Sequence, residues 1–157
     1  MKDGGAMNNR EFEIEDEIDP LAEYEQLFRT VFEMSDEAIL VVEPDVKGHI
    51  IEANQSAADM HGYTIQELVK LKASDLHPSE ELADIENALQ RILEGEWVDS
   101  EHEHVRKDGS RFPVRSRSGV TQYLGRRVII SFTRDIGIDK QLEEALRQCE
   151  RDIASRI

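Results

Sequence analysis

Cysteine and long apolar runs are the scarcest features of this chain. Its 157 residues include one cysteine, Cys149, which excludes an internal disulfide and fits a reducing compartment. The longest purely aliphatic run is Ala38–Val42, which is far too short to span a bilayer. The acidic N-terminus also lacks the apolar segment of a signal peptide. We therefore expect a cytoplasmic protein that has no contact with a membrane.

Basic residues are also in short supply. The chain has 19 lysines and arginines against 34 aspartates and glutamates, which gives a formal net charge of -15. A charge of this sign and size keeps a protein soluble and repels nucleic acid and anionic membranes. We therefore expect no nucleic-acid partner.

Sequence motifs for catalysis and for metal binding are missing. The sequence has no glycine-rich phosphate loop, no GxSxG, no CxxC and no HExxH. Its single cysteine lies in a predicted helix, far along the chain from any histidine. We therefore predict no catalytic residue and no metal site, and we do not expect an enzyme.

The order of the predicted elements indicates an α+β domain. Residues 1–19 are acidic with little apolar periodicity, which predicts a flexible lead-in. A helix with an apolar stripe begins at Pro20. The later elements follow in this order: strands at 38–42 and 49–53, short helices at 54–60 and 64–71, a helix from Pro78 to Gly95, and strands near 97–107, 111–122 and 126–135. Two strands and a later three predict one antiparallel sheet with helices on one face.

Four sequence segments occur in an order that resembles the PAS sensory domain family. They are YEQLFRTVFEMSDEAILVV, GHIIEANQSAADMHGYTIQEL, HVRKDGSRFPV and RDIGIDKQLEEAL, and they cover about residues 21–148. Each segment alone is weak evidence, whereas four in the right order and spacing are strong. The resemblance implies a PAS domain at 20–136, with a five-stranded antiparallel sheet and an N-terminal cap helix. It also implies a C-terminal linker or signalling helix at 137–157.

The resemblance implies a function as well. PAS domains are sensor or signal-relay modules, as in two-component signalling proteins, so we expect a homodimer coupled to an effector domain in cis or in a partner protein. The phosphoacceptor box of histidine kinases is absent, so a kinase part would lie outside this chain. A second hypothesis is a ligand-free PAS domain that only dimerises or docks effector domains. A cavity that takes up a small molecule would favour the first hypothesis.

The strand-to-helix junction near residue 136 is the expected site of signal transmission. PAS domains typically end their last strand in an Asp-Ile-Thr motif, and here Asp135 and Ile136 match while Gly137 replaces the threonine. The glycine predicts a more flexible junction, and Asp139 becomes a candidate for the helix cap.

The helix after this junction carries an apolar residue at steps of four, three and four. This spacing indicates the seam of a coiled coil, although an amphipathic helix folded back on its own domain would show it too. The seam residues are Leu142, Leu146, Cys149 and Ile153.

Two histidines mark the candidate ligand pocket. His102 and His104 lie two apart in a predicted strand, so they share one face of the sheet. By resemblance to PAS strand register this is the inner face, which Val114, Ser116, Ile129, Ser131 and Thr133 also share. This face is too polar for a dry lipid pocket, so its groups need a polar ligand, water or one another as partners.

The resemblance also bears on cofactors. The flavin-binding branch of the family carries a reactive cysteine where this chain has KLKASDLHP, so we expect no flavin. His77 is the only candidate for a haem ligand near the long helix, and we interpret it as structural. We therefore expect no cofactor, with a small polar ligand or a haem held by His77 as the alternatives.

Overall fold

The computed structural model describes residues 19–156, so nearly all of the predicted lead-in at 1–19 lies outside the described residues. The chain divides into two compact units, residues 1–34 and 35–157. The described part of the first unit is helix α1, Pro20–Met34, which begins where the Leu21 N–H donates to Asp19 Oδ1 at 3.0 Å. Much of its apolar stripe is exposed, including Leu21 and Tyr24.

The second unit contains one sheet and the remaining helices. In chain order the elements are β1 (Ala38–Val42), β2 (Ile50–Ala53), α2 (Gln55–His61), α3 (Ile65–Leu68), 3₁₀ turns at Ala73–Leu76 and Ser79–Glu81, α4 (Leu82–Leu93), β3 (Val98–Val105), β4 (Arg111–Tyr123), β5 (Arg126–Asp135) and α5 (Gly137–Ala154). The five strands are antiparallel in the order β2-β1-β5-β4-β3. This architecture confirms the predicted five-stranded α+β fold.

Local sequence signals set the limits of the short helices. Asn54 caps α2, because its Oδ1 accepts the Ala57 N–H, and the helix stops at Gly62, whose φ of 75° suits a residue without a Cβ. Thr64 and Glu67 form the predicted capping box at the start of α3. These capping residues and the glycine therefore predict both the presence of the short helices and the residues at which they begin and end.

The apolar core lies between the sheet and the helices that follow β2. Its members come from β1, β2, β3 and β5 on one side and from α2, α3, the first 3₁₀ turn and α4 on the other, with Ile50, Leu68 and Leu76 fully buried. Burial of one such aliphatic side chain stabilises a fold by about 1.5–3 kcal/mol. Val98 of β3 belongs to this core, so the alternate residues of that strand face the same inner side.

Candidate ligand-binding site

A cavity of about 440 Å³ opens between the inner face of the sheet and α4 with its preceding turns. Five of the seven residues predicted for the pocket line it, namely His102, His104, Ser116, Ile129 and Ser131.

The other two predicted pocket residues, Val114 and Thr133, lie outside the lining of the cavity. They are fully buried in the sheet, where Thr133 pairs with Ser116. Polar residues that were not predicted for the pocket also line it, among them Ser100 and Ser118, which extend the same strand faces. His77 lines it too, although the sequence suggests this residue only as a haem ligand and favours a structural role for it.

The hydroxyl groups on this face form hydrogen bonds across the strands. Ser116 Oγ lies 2.9 Å from Thr133 Oγ1, and Ser118 Oγ donates to Ser131 Oγ at 2.9 Å. Each pair joins residues directly opposite each other on β4 and β5. Each of these hydroxyls therefore has one hydrogen-bond partner within the protein.

Four histidines form a cluster beside the cavity. His61 Nε2 lies 2.8 Å from His104 Nδ1, and His104 Nε2 lies 3.3 Å from His102 Nε2. The ring of His77 packs against both strand residues, with centroids 5.2 Å from His102 and 4.6 Å from His104. His61 ends α2 and His77 ends a 3₁₀ turn, so the helical layer brings these two rings to the strand that carries the other two.

One backbone carbonyl orients the protons of the cluster. The Ala57 carbonyl lies 2.8 Å from His61 Nδ1 and can only accept, so His61 Nδ1 carries the proton and its Nε2 is an acceptor. His104 Nδ1 therefore donates to His61, which leaves a lone pair on His104 Nε2. His102 Nε2 lies 3.3 Å from this lone pair and donates its proton to it.

Burial lowers the pKa of all four imidazoles, because a charged ring loses its hydration there. It lowers the pKa of His77 to about 3, with His102 and His61 adding repulsion. The pKa of His104 falls well below its usual value for the same reasons, since three other rings surround it. The cluster is therefore neutral at neutral pH.

An acidic side chain does face the cluster. Glu101 and Glu103 alternate to the other side of β3, but Glu81 from the second 3₁₀ turn raises the pKa of His102 against the larger effect of burial. Sequence spacing along one strand could not show this carboxylate, because it comes from a different element. Of the two predicted pocket histidines, His102 is accordingly the one whose pKa a nearby carboxylate raises.

Arg106 connects the cluster to the end of the sheet. Its Nε donates to the Met60 carbonyl, next to His61, at 3.2 Å, and its Nη2 donates to Asp135 Oδ2 at 3.4 Å. The guanidinium lies 3.9 Å over the ring of Phe112, which packs edge-on against His61. One side chain thus joins residues that border the cluster, Met60 and Phe112, to the predicted transmission site.

The junction itself is held by backbone and carboxylate contacts. Asp135 Oδ1 accepts the Gly137 N–H at 2.8 Å, and the buried Ile136 donates its N–H to the Pro113 carbonyl at 3.0 Å. A Cβ at Gly137 would lie 3.1 Å from Asp135 Oδ1, so the glycine makes room for this cap. The predicted cap Asp139 is wrong, because its carboxylate pairs instead with Arg134 at 3.3 Å.

Helix α5 is tied to β3 and presents its apolar residues to solvent. Lys140 Nζ lies 2.8 Å from Glu101 Oε2 on the outer face of β3. The predicted seam residues are exposed along α5: Leu142, Leu146, Cys149 and Ile153. A helix folded back on its own domain would bury these residues in the core. Within residues 19–156 they are not buried.

Residues 36–137 match the family model described as PAS domain. The chain belongs to the PAS domain family. PAS sensor domains are non-catalytic, which agrees with the prediction that this chain is not an enzyme.

A curated relative is a sensor protein of a methanogen. The chain is 33% identical over 130 residues to the methyl sulfide methyltransferase-associated sensor of Methanosarcina acetivorans. The match covers 82% of this chain but 13% of the sensor, so the chain spans a small part of that protein.

Solved PAS domains share the fold. The PAS domain of an HTR-like protein from Haloarcula marismortui aligns with a TM-score of 0.64 at 23% identity, over 81% of this chain and 100% of that one. A domain of a sensory box sensor histidine kinase/response regulator from Geobacter sulfurreducens gives 0.62 at 23% identity, over 74% and 98%. Among residues 19–156, no helix combines the length and apolarity needed to cross a membrane.

Proposed function

We propose that this PAS domain senses a small polar ligand in its cavity and relays the change to an effector through α5. The setting is a two-component type of signalling protein, with the effector in cis or in a partner. Related sensor proteins support this role, as does the cavity lined by polar groups. The acidic net charge and the single exposed thiol, Cys149, favour a protein partner and a reducing cytoplasm over nucleic acid or a membrane.

The observation that carries the proposal is the set of contacts from the cavity to the first residue of α5. His104 bonds to His61, Arg106 spans from the carbonyl beside His61 to Asp135, and Asp135 accepts the first amide of α5. A ligand that moves His104 would therefore shift the anchor of the helix. The Glu101–Lys140 pair forms a second link, because Glu101 precedes His102 on the same strand.

The exposed apolar stripe of α5 supports a homodimer. Leu142, Leu146 and Ile153 are 64%, 61% and 61% exposed, at coiled-coil spacing. We expect Leu142→Asp with Leu146→Asp to convert a dimer into a monomer in sedimentation velocity. The matched control, Gln141→Asp with Gln148→Asp, adds the same charges off the stripe and should leave the dimer intact. A monomeric wild-type chain at tens of micromolar would contradict the homodimer.

The alternative function is a ligand-free dimerisation or docking domain. The hydroxyl pairs Ser116–Thr133 and Ser118–Ser131 favour it, because they leave these groups satisfied without a ligand. The two functions differ in whether a change at the cavity reaches α5.

A spin label on a cysteine introduced by Gln148→Cys in a Cys149→Ser background would decide between them, because position 148 is exposed and lies off the proposed seam. Pulsed electron resonance would measure the distance between the two labels of the dimer. We expect His104→Leu to change that distance, and we expect the change to vanish in an Arg106→Gln background, because the two residues act through one set of contacts. The exposed His49→Gln is the control. The relay is refuted if His104→Leu leaves the distance and the amide exchange of residues 137–140 unchanged, and the docking function would then stand.

A further inference from the structure

Three imidazoles at the cavity offer nitrogen atoms to a common point. One ring nitrogen each from His77, His102 and His104 lies within 4.8 Å of the other two. The Nδ1 of His77 is buried and has no hydrogen-bond partner among residues 19–156. A buried polar atom without a partner costs free energy, so an arrangement that keeps one calls for a partner outside the protein.

The spacing suits a tetrahedral metal ion. Nitrogen ligands lie about 2.0–2.1 Å from Zn²⁺, which places two nitrogens of a tetrahedron about 3.3–3.4 Å apart. The distance between His102 Nε2 and His104 Nε2 is 3.3 Å. A metal ion would replace the hydrogen bond between them, with the His102 proton moved to Nδ1, which lies 3.4 Å from Ser100 Oγ. A ring nitrogen of His77 lies within 4.8 Å of the other two ligand atoms, so this ring would have to move closer for the site to form.

The second layer of contacts prepares His104 as a ligand. A metal-bound histidine usually donates its other N–H to an acceptor, which fixes the tautomer and turns the lone pair toward the metal. His104 Nδ1 donates to His61, and His61 in turn donates to the Ala57 carbonyl.

We propose that His77, His102 and His104 bind a divalent transition-metal ion such as Zn²⁺, with the fourth coordination position facing the cavity. All three ligands are imidazoles, which suit zinc, copper, nickel and iron and not magnesium or calcium. Ring centroids 4.6–5.2 Å apart leave no space for the plane of a haem between any two of the three.

The inference deepens the proposed function, because it names the ligand class of the same cavity. The ion would join the turn that carries His77 to strand β3, and β3 also carries Glu101, the partner of Lys140 on α5. Binding would thus pull on one of the two links to the helix. The sensing role rests on the proposed relay, whereas metal binding does not.

The test uses the full chain after removal of metal with EDTA. Titration with Co²⁺ should produce the visible absorption of a tetrahedral site at one ion per chain, and Zn²⁺ should displace it. Loss of an outer-layer contact costs about 10–100-fold in affinity. We therefore expect His77→Gln and His102→Gln to weaken Zn²⁺ binding by more than about 100-fold, and His61→Gln by about 10–100-fold. The exposed His49→Gln is the control and should bind as the wild type does.

Circular dichroism confirms that each variant is folded, and thermal unfolding gives a second readout on the wild type. Zn²⁺ should raise the wild-type melting temperature by mass action, without a matching rise in His102→Gln. No tetrahedral Co²⁺ spectrum in the wild type, or unchanged Zn²⁺ affinity in both ligand variants, would overturn the site. Zn²⁺ binding that leaves the label distance at position 148 unchanged would overturn the sensing role alone.

Discussion

Acidification should destabilise the metal-free domain well before its carboxylates protonate. The charged groups that face the histidine cluster do not compensate for its burial. Glu81 raises the pKa of His102 only in part, and Asp135 is offset at His61 by the positive charge of Arg106. All four imidazoles therefore have a folded pKa below that of the unfolded chain, which is about 6.5.

The sign and size follow from proton linkage. Below about pH 6.5 the imidazoles bind protons in the unfolded chain, whereas in the folded cluster they stay neutral. The free energy of unfolding therefore falls as the pH falls towards the folded pKa. With a pKa of about 3, His77 alone costs about 1.4 kcal/mol per pH unit, or about 2 kcal/mol at pH 5. His104 adds a cost of the same sign. Together they remove a large part of the roughly 5–15 kcal/mol that holds a domain folded.

The assay is urea unfolding in EDTA between about pH 5 and 8, a window above the titration of ordinary carboxylates. Wild type should lose stability steadily below about pH 6.5. His104→Leu should lower that slope by about one proton, or about 1.4 kcal/mol per pH unit. His49→Gln removes an exposed imidazole and should keep the wild-type slope. Equal slopes in wild type and His104→Leu would show that the cluster protonates freely in the folded state, which refutes the reasoning.

Three further changes test single contacts. Asn54→Ala removes the cap of α2 and leaves buried amides of β1 and α2 without an acceptor. Urea unfolding should therefore show a loss of about 2–4 kcal/mol in the free energy of unfolding, and Asn54→Asp should show a smaller loss. Gly119→Ala would place a Cβ into the indole of Trp97, so the emission of this only tryptophan should shift to the red with a stability loss of about 1 kcal/mol. Leu142→Asp alone should raise the dimer dissociation constant in sedimentation equilibrium, whereas Gln141→Asp should not.

Local patterns were sufficient for the fold and for one wall of the site. The cap at Asn54, the box at Thr64 and the stop at Gly62 depend on residues within one turn of each other, so the sequence contains all the information they need. The alternation of side chains along a strand likewise placed His102 and His104 on one face, and the resemblance to PAS domains implied that this is the inner face.

The rest of the cluster depends on contacts that no local pattern contains. His61 lies 43 positions before His104 and precedes a helix-ending glycine, where a histidine is usually interpreted as a solvent-exposed partner of the helix dipole. Its burial is set by tertiary contacts such as the Lys107 N–H donating to the His61 carbonyl at 2.9 Å. The only signal in the sequence is that four of the five histidines fall between positions 61 and 104.

The direction of the hydrogen bonds within the histidine cluster argues that the cluster serves a function beyond packing. A network kept only for stability would end with every nitrogen paired, because an unpaired buried nitrogen costs free energy. Here the bonds run in one direction, from the Ala57 carbonyl through His61 and His104 toward the cavity, and the buried His77 Nδ1 beyond them lacks a partner within the described residues 19–156. Departures from full satisfaction tend to lie at functional sites. Since His61 and His104 contact Phe112, and Arg106 joins Phe112 to the cap of α5, a ligand that completes the network would act on the start of α5.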